Sequence, residues 1–176
     1  NHNVLNAAAS IVAAKLNGIK NVYINNALKN YIGVKRRFSF IGKKNKALIY
    51  DDYAHHPTEI AATLSAAKSL KNNVIVIFQP HRYTRTKILL NEFVNVLSKI
   101  DYLFLLETYS AGEKVIKGAT SSDIFSKTAK KNRNIFYLKN ISDLNKLLKP
   151  YTIKQNTIIF MGAGSISNIA KEYLNK

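Results

Sequence analysis

The sequence has no cysteine, and this absence excludes disulfide bonds and metal sites built from thiolates. It suits the reducing cytoplasm, which is the location we expect. No run of apolar residues approaches the ~18 residues that a membrane-spanning helix needs. We therefore expect a cytoplasmic protein without a membrane partner.

Acidic residues are scarce, because 10 Asp and Glu stand against 27 Lys and Arg and leave a formal net charge of +17. One interpretation is a nucleic-acid-binding module, since a basic surface releases counterions from phosphates. The other is a Lys- and Asn-rich compositional bias spread over solvated faces. We favour the second, because the lysines are scattered along every segment instead of forming one block. No specific nucleic-acid partner is expected.

Arginine is also rare, and four of the five arginines fall in two short motifs, Arg36-Arg37 and Arg82-x-x-Arg85. A chain that otherwise uses Lys for positive charge keeps Arg where a planar, two-pronged donor is needed. Such a donor suits a carboxylate or a phosphate. Both motifs are therefore candidate anion-binding elements.

From residue 74 onward, short apolar runs alternate with segments of helical periodicity, which predicts a mostly parallel, doubly wound α/β sheet. The fold class we predict is Rossmann-like, with helices on both faces. Before it, segments 34–42 and 46–50 predict two strands paired as a hairpin. The later predicted strands are 74–78, 102–106, 135–138 and 157–161, and the predicted helices are 57–70, 87–100, 122–131, 142–148 and one after Gly164.

Residues 1–33 contain two helical patterns, over 3–16 and 22–31, and no strand pattern. We interpret them as the tail of another domain whose sheet is not in this sequence, and residues 34–176 as a domain of their own. Since Asn1 leads almost at once into a helical pattern, we expect the chain to be a piece of a longer protein.

The stretch from Tyr50 to Glu59 reads YDDYAHHPTE and lies where a buried strand is predicted to turn into a helix. In an open α/β sheet that position is the carboxyl edge, where ligands bind. Asp52 is a candidate to hold a ribose hydroxyl or a hydrated cation. Tyr53 and His55 are candidates to orient a polar substrate.

Part of the same stretch has a purely structural interpretation. Pro57 suits the first position of a helix, and Glu59 suits a capping box. A metal centre formed by His55 and His56 is disfavoured, because adjacent side chains diverge and no third ligand is evident.

The second motif, FQPHRYTRT, follows a buried strand and opens a predicted helix at residues 78–86. We predict that His81, Arg82 and Arg85 project from the loop, with Thr86 as the helix N-cap. Two guanidinium groups at a helix entrance favour an anionic ligand, because the fork geometry and the helix N-terminus act together. A solvated basic turn is the alternative.

Two further loops are weaker candidates. The run from Gly162 to Ile166 follows a strand and opens a helix, but Ser167 stands where a dinucleotide-binding motif has a third glycine. A tight turn explains this run equally well. The loop at 109–113 lies on the same predicted edge and is a candidate rim or substrate contact.

Taken together, these motifs resemble the Mur ligases in both order and spacing, over essentially the whole chain. The matching segments are His2-Asn3-Val4-Leu5-Asn6, Gly33-Val34-Lys35-Arg36-Arg37-Phe38, 51–59, 78–86, Tyr109-x-Ala111-Gly112-Glu113 and Gly162-Ala163-Gly164. The sequence looks most like the members that join L-alanine to UDP-N-acetylmuramate.

The resemblance implies an ATP-dependent amide ligase of peptidoglycan synthesis that proceeds through an acyl phosphate and a tetrahedral intermediate. Such enzymes have an N-terminal UDP-sugar domain, a central P-loop ATPase domain and a C-terminal Rossmann-like domain. Residues 1–33 then match the end of the central domain, and residues 34–176 match the C-terminal domain. The implied ligands are UDP-N-acetylmuramate, L-alanine, ATP and Mg²⁺.

By position, the resemblance assigns roles to individual side chains. It implies that His2, Asn3 and Asn6 lie against the adenine of the nucleotide. It also implies that Arg37 and Asp52 act on the nucleotide side of the site, and these two are the predicted catalytic residues. The resemblance further implies that the amino-acid substrate is contacted by Tyr53, His55, His81, Arg82 and Arg85. Both arginines are implied to bind the carboxylate of alanine.

One element of the family pattern is absent, because the sequence contains no G-x-x-x-x-G-K-[ST] phosphate loop. The Mg²⁺-binding Glu and His of the central domain are missing as well, so the metal ligands are expected outside this chain. We expect no ATP hydrolysis by the isolated chain, which is then a fragment, half of a split enzyme or an inactive remnant.

Overall fold

The structure is a computed structural model that describes residues 2–175, with side chains described from Val4 onward. The chain divides into two compact units, one up to Val34 and the other from Lys35 onward. Among the residues described, no helix is both long and apolar enough to cross a bilayer.

The first unit consists of helices α1 (His2–Leu16) and α2 (Asn21–Lys29). Gly18 ends α1 with a φ of 75°, and the main chain then closes with a bond from Ile19 N–H to the Ala14 carbonyl. Within the described part of this unit, Ile24 is the one buried hydrophobic side chain, and most of the apolar stripe of α1 is exposed. Its assignment to the end of an ATPase domain remains a prediction.

The second unit contains one six-stranded sheet in the order β1-β2-β6-β3-β4-β5. Strand β1 pairs antiparallel with β2, as the predicted hairpin requires, and all other neighbours are parallel. The strands are β1 (Ser39–Lys44), β2 (Ala47–Asp52), β3 (Asn73–Phe78), β4 (Tyr102–Leu106), β5 (Ile135–Leu138) and β6 (Asn156–Met161).

The prediction of a strand from residue 34 is wrong for its first half. The backbone at Arg36 and Phe38 has φ values of 61° and 45°, which lie outside the extended region. Extended pairing therefore begins only at Ser39.

Helices cover both faces of the sheet, which confirms the predicted fold class. On one face α3, α5 and α6 bury Ile60, Phe93 and Ile124, and on the other α7 and α8 bury Leu148 and Ile166. The helices are α3 (Pro57–Lys68), α4 (Tyr83–Ile88), α5 (Leu90–Leu97), α6 (Ser121–Thr128), α7 (Leu144–Leu148) and α8 (Ile166–Asn175).

The helix predicted to start at residue 87 starts instead at Tyr83 and is interrupted at Leu89. Thr86 is therefore not an N-cap. It is fully buried inside α4, and its hydroxyl donates to the main-chain carbonyl of Arg82 at 3.1 Å.

The sheet order decides where a ligand can enter. Strand β6 lies between β2 and β3, and the chain leaves β6 toward the face of α8 but leaves β2 and β3 toward the opposite face. Neighbouring strands whose connections diverge leave a crevice at their carboxyl ends. The polar loops after β2, β3 and β6 meet at that crevice.

Candidate functional site

The loops after β3 and β4 extend the sheet beyond its regular strands. Tyr109 N–H donates to the Pro80 carbonyl at 2.8 Å, and Arg82 N–H donates to the Tyr109 carbonyl at 2.9 Å. These bonds hold His81 beside Tyr109 as an isolated parallel bridge. The side chains on this loop therefore project from a fixed backbone.

The loop after β6 is packed against the loop after β3. Gly162 N–H donates to the Asp52 carbonyl at 3.0 Å, and the Gln79 amide nitrogen lies 3.2 Å from the Ser165 hydroxyl. A Cβ on Gly164 would lie 2.6 Å from Cγ of Tyr109. Close packing of loops therefore accounts for the glycines of this run.

A row of rings crosses the crevice from one loop to the next. The ring centroids are 5.1 Å apart between Tyr53 and His55, 5.9 Å between His55 and His81, and 5.5 Å between His81 and Tyr109. The last pair is stacked. Three of the predicted substrate-binding residues, Tyr53, His55 and His81, are thus neighbours although they follow two different strands.

Hydrogen bonds assign the proton positions of the two neutral imidazoles. Nδ1 of His81 lies 3.3 Å from a guanidinium nitrogen of Arg85, which can only donate, so neutral His81 carries its proton on Nε2. Nδ1 of His55 lies 2.8 Å from the Tyr53 carbonyl, which can only accept, so neutral His55 carries its proton on Nδ1. The free Nε2 of His81 is then a donor, and that of His55 is an acceptor.

We expect His81 to titrate below its ordinary value of pH 6.5, because burial lowers its pKa and the positive charge of Arg85 lowers it further. The unfolded chain then binds more protons than the folded one between the folded pKa and 6.5, so the stability falls as the pH decreases through that window. The NMR shifts of the ring protons, followed against pH, measure this directly.

The Arg85→Ala variant should move the pKa of His81 upward, since it removes the nearest cation. Lys87→Ala is the matched control, because Lys87 lies on the same helix and its ammonium donates to the Lys117 carbonyl instead. Titration of His81 at or above 6.5 in the unchanged protein would contradict this account.

The two arginines of the second motif differ in their surroundings. Arg85 is half-buried and also donates to the His81 carbonyl at 3.3 Å, whereas Arg82 is exposed and has a φ of 71°. Positive φ costs energy in a residue other than glycine and is typical of sites where orientation matters.

The helix entrance itself is already occupied. The Glu113 carboxylate accepts from Thr84 N–H at 3.0 Å and from the Thr84 hydroxyl at 2.6 Å, and these bonds lower the pKa of Glu113. The sequence placed Glu113 on the rim but did not predict this cap. An anion at this loop would therefore be held by the guanidinium groups and not by the first turn of α4.

Asp52 is buried, and its contact with a ribose or a cation stays a prediction. Its carboxylate accepts from Phe38 N–H at 2.6 Å and from Ala54 N–H at 2.7 Å. Burial raises the pKa of Asp52, and the two main-chain bonds partly counteract that. The carboxylate ties the segment containing Arg37 to the end of β2.

Asp51 and Arg36 form a neighbouring pair that the sequence did not predict. Asp51 is buried and accepts from the Ser167 hydroxyl at 2.6 Å, and Arg36 Nε lies 3.5 Å from the same oxygen. Arg36 also donates to the Gly162 carbonyl at 2.6 Å. The rarity of arginine was the available signal, but it did not distinguish this half-buried residue from the exposed Arg37.

His56 has a structural role. Its Nδ1 accepts from Thr58 N–H at 3.3 Å, while Glu59 accepts from the main-chain N–H of His56, which completes a capping box with Pro57 in the first turn of α3. The structural interpretation of Pro57 and Glu59 is therefore confirmed. Residues 2–175 contain no group of three or more His, Cys, Asp or Glu side chains arranged to hold a metal ion.

The nucleotide-side residues predicted in the first unit lie on α1. Asn6 is exposed on α1, and its carbonyl accepts from the Ser10 hydroxyl at 2.9 Å. The side chains of His2 and Asn3 lie outside the part of the chain that the structure describes. Their contact with adenine stays a prediction.

The sequence profile of a family described as "Mur ligase, glutamate ligase domain" matches residues 36–164, which is most of the second unit and includes the loops after β2, β3 and β4. The chain belongs to the Mur ligase family.

Curated Mur ligases are similar to this chain over almost its whole length. The UDP-N-acetylmuramate–L-alanine ligase of a Hydrogenobaculum species is 43% identical over 174 residues, covering 98% of this chain and 38% of the relative. That of Carboxydothermus hydrogenoformans is 41% identical over 176 residues, covering 99% and 38%. The chain thus spans less than two-fifths of the length of these Mur ligases.

Solved Mur ligase structures agree with the fold. The UDP-N-acetylmuramate–alanine ligase of Thermotoga maritima has a TM-score of 0.75 and 27% identity, covering 99% of this chain and 37% of that chain. A murein peptide ligase from Psychrobacter arcticus has a TM-score of 0.72 and 26% identity, covering 99% and 36%. Mur ligases in general depend on ATP and Mg²⁺.

Proposed function

We propose that this chain is the amino-acid-binding and nucleotide-covering part of an ATP-dependent ligase that joins L-alanine to UDP-N-acetylmuramate in peptidoglycan synthesis. The observation that carries the proposal is the meeting of Arg85, His81 and His55 at one crevice of the sheet, on a loop whose backbone at Arg82 is fixed by its bond to Tyr109. Relatives with 41–43% identity that bear this activity in their names support the identity of the substrates.

The guanidinium groups of Arg82 and Arg85 are proposed to hold the carboxylate of alanine. Arginine suits this task, because its donors form a rigid fork that matches two carboxylate oxygens. The Nε2–H of His81 adds a neutral donor beside Arg85, so that the carboxylate meets both charge and hydrogen bonds.

The amine of alanine must lose a proton before it attacks an acyl phosphate. We propose that Nε2 of His55 accepts a hydrogen bond from the amine, since its Nδ1–H is held by the Tyr53 carbonyl at 2.8 Å. The two imidazoles then orient the two ends of one amino acid. Catalysis in this part of the enzyme is positioning and charge stabilisation.

The nucleotide side is proposed to involve Arg37, which is exposed, together with Asn6 and the adjacent His2 and Asn3. Asp52 is proposed as a positioning residue, because its carboxylate holds the main chain of Phe38, next to Arg37. ATP supplies the phosphoryl group that activates the muramyl carboxylate. The ligands of Mg²⁺ are proposed to lie in the part of the ligase that this chain does not span.

A chimera tests the proposal. The corresponding part of the Hydrogenobaculum ligase, to which this chain is 43% identical, is replaced by this chain, and phosphate release is measured. We expect release that requires ATP, UDP-N-acetylmuramate and L-alanine together, and none from the isolated chain. A folded chimera that hydrolyses no ATP when alanine is added contradicts the proposal and supports an inactive remnant.

A further inference from the structure

The turns that lead into the strands carry a strong excess of positive charge. Five of them, at residues 43–46, 68–72, 98–101, 130–134 and 149–155, contain eleven Lys or Arg residues and one acidic residue, Asp101. They all lie at the amino edge of the sheet, because every connection into a parallel strand ends there. We call this surface the amino edge.

These charges are not used inside the protein. The basic side chains of the amino edge are exposed except that of Lys44, which donates to the Tyr173 carbonyl. Asp101 accepts from Val74 N–H at 3.0 Å, and the ion pair found among the described residues that does not depend on a histidine proton, Arg36 with Asp51, lies at the other edge. The amino edge is therefore free to attract an external anion.

The opposite edge of the sheet has a different balance of acidic and basic residues. Acidic residues there accompany the basic ones, including Asp51, Asp52, Glu59, Glu107 and Glu113. The net charge of +17 is thus concentrated in part on the side away from the crevice. A surface of one sign orients the molecule toward a large anionic partner.

Two exposed aliphatic side chains indicate which partner fits. Leu70 is 36% exposed and Ile153 is 55% exposed, and their turns are joined by a bond from Asn73 N–H to the Gln155 carbonyl at 2.8 Å. The large hydrophobic side chains exposed on these turns include no aromatic ring on which a base could stack. Lysines around aliphatic side chains are typical of a surface that lies on lipid headgroups.

In contrast to the expectation from the sequence that there is no membrane partner, we propose that the amino edge docks on a bilayer surface that contains anionic lipid, with the crevice turned away from the membrane. The lysines supply long-range attraction, and Leu70 and Ile153 enter the headgroup region. Lysine suits this task better than arginine, because it is a mobile point charge that needs no fixed geometry in its partner.

Co-sedimentation of the full chain with vesicles tests the proposal, using phosphatidylcholine with and without phosphatidylglycerol. The variant Lys130→Gln, Lys131→Gln, Arg133→Gln loses three charges at the amino edge, and Lys114→Gln, Lys117→Gln, Lys139→Gln loses three at the opposite edge. All six side chains are exposed. We expect binding only with the anionic lipid, an affinity loss of about 10- to 100-fold for the first variant, and about threefold or less for the second.

Ile153→Ser tests the aliphatic contribution, with Val115→Ser as its control, because Val115 is 69% exposed in the loop between β4 and α6. We expect a loss of vesicle binding for the first and none for the second. Equal losses of vesicle binding by the two triple variants would overturn the proposal. They would show that binding depends on the total charge and not on the amino edge. Unchanged vesicle binding by Ile153→Ser, together with tighter binding to duplex DNA, overturns it in favour of nucleic acid.

Discussion

The Arg85→Ala variant of the chimera is expected to raise the KM for L-alanine by about 10- to 100-fold, because a hydrogen bond to a charged group contributes about 1.5–3 kcal/mol. Arg85 is half-buried and lies 3.3 Å from Nδ1 of His81, so its loss also removes the bond that sets the proton position of that imidazole. The KM for ATP should change by less than about threefold, since the assigned contact is with the amino acid. Steady-state kinetics with each substrate varied in turn measures the two constants.

Arg133→Ala is the matched control, because Arg133 is an exposed arginine at the amino edge and belongs to neither arginine motif. It removes the same charge and should leave both constants unchanged. An equal rise in the two KM values for Arg85→Ala would contradict the proposed contact with the alanine carboxylate. It would instead indicate that Arg85 supports the crevice as a whole.

Gly162→Ala is expected to lower the free energy of unfolding by about 2–5 kcal/mol, which combines backbone strain with overpacking. Gly162 has a φ of 148°, and a Cβ there would lie 2.6 Å from the main-chain oxygen of Gln79. Gln79 directly follows β3 and its N–H donates to the Met161 carbonyl at 3.0 Å, so its main-chain oxygen cannot move aside as a side-chain end can. Chemical denaturation gives the change, which is a large share of the ~5–15 kcal/mol that holds a domain folded.

The Gly112→Ala variant separates the effect of backbone strain from the effect of overpacking. Gly112 also has a positive φ, of 85°, but a Cβ there would meet no atom within 4 Å. It should therefore cost only the backbone strain, about 1 kcal/mol. Equal destabilisation by the two variants would show that the close approach to Gln79 is relieved by a shift of the loop.

The helices and strands could be predicted from the sequence because the residue patterns that indicate them are local. Apolar runs such as 102–106 and 135–138 match β4 and β5 residue for residue. Strand β4 is buried on both faces and needs continuous hydrophobicity, whereas β5 lies at the edge of the sheet and exposes Phe136. Pro57 and Glu59 marked the start of α3 through their own backbone chemistry. Even the carboxyl-edge position of His55 and His81 follows from what precedes them in the chain.

The hydrogen-bond partners of individual side chains could not be predicted from the sequence in the same way. Asp51 and Asp52 are adjacent, yet the first bonds to Ser167 on α8 and the second to Phe38, because successive strand residues point to opposite faces. Which helix covers each face depends on β6 being inserted between β2 and β3. That order involves residues more than a hundred positions apart.

The scattered lysines are a further case in which the sequence gives the residues but only the tertiary structure shows which of them lie together. The sequence by itself determined the α/β alternation and the likeness to Mur ligases, and it predicted an anion-binding role for Arg82 and Arg85, because these depend on short motifs. Only the tertiary structure decided that Thr86 is buried, that Asp52 serves the main chain, and that basic turns far apart in the chain share one edge. The physical reason is that a parallel sheet places residues side by side according to strand order, and strand order is fixed by packing across the whole chain.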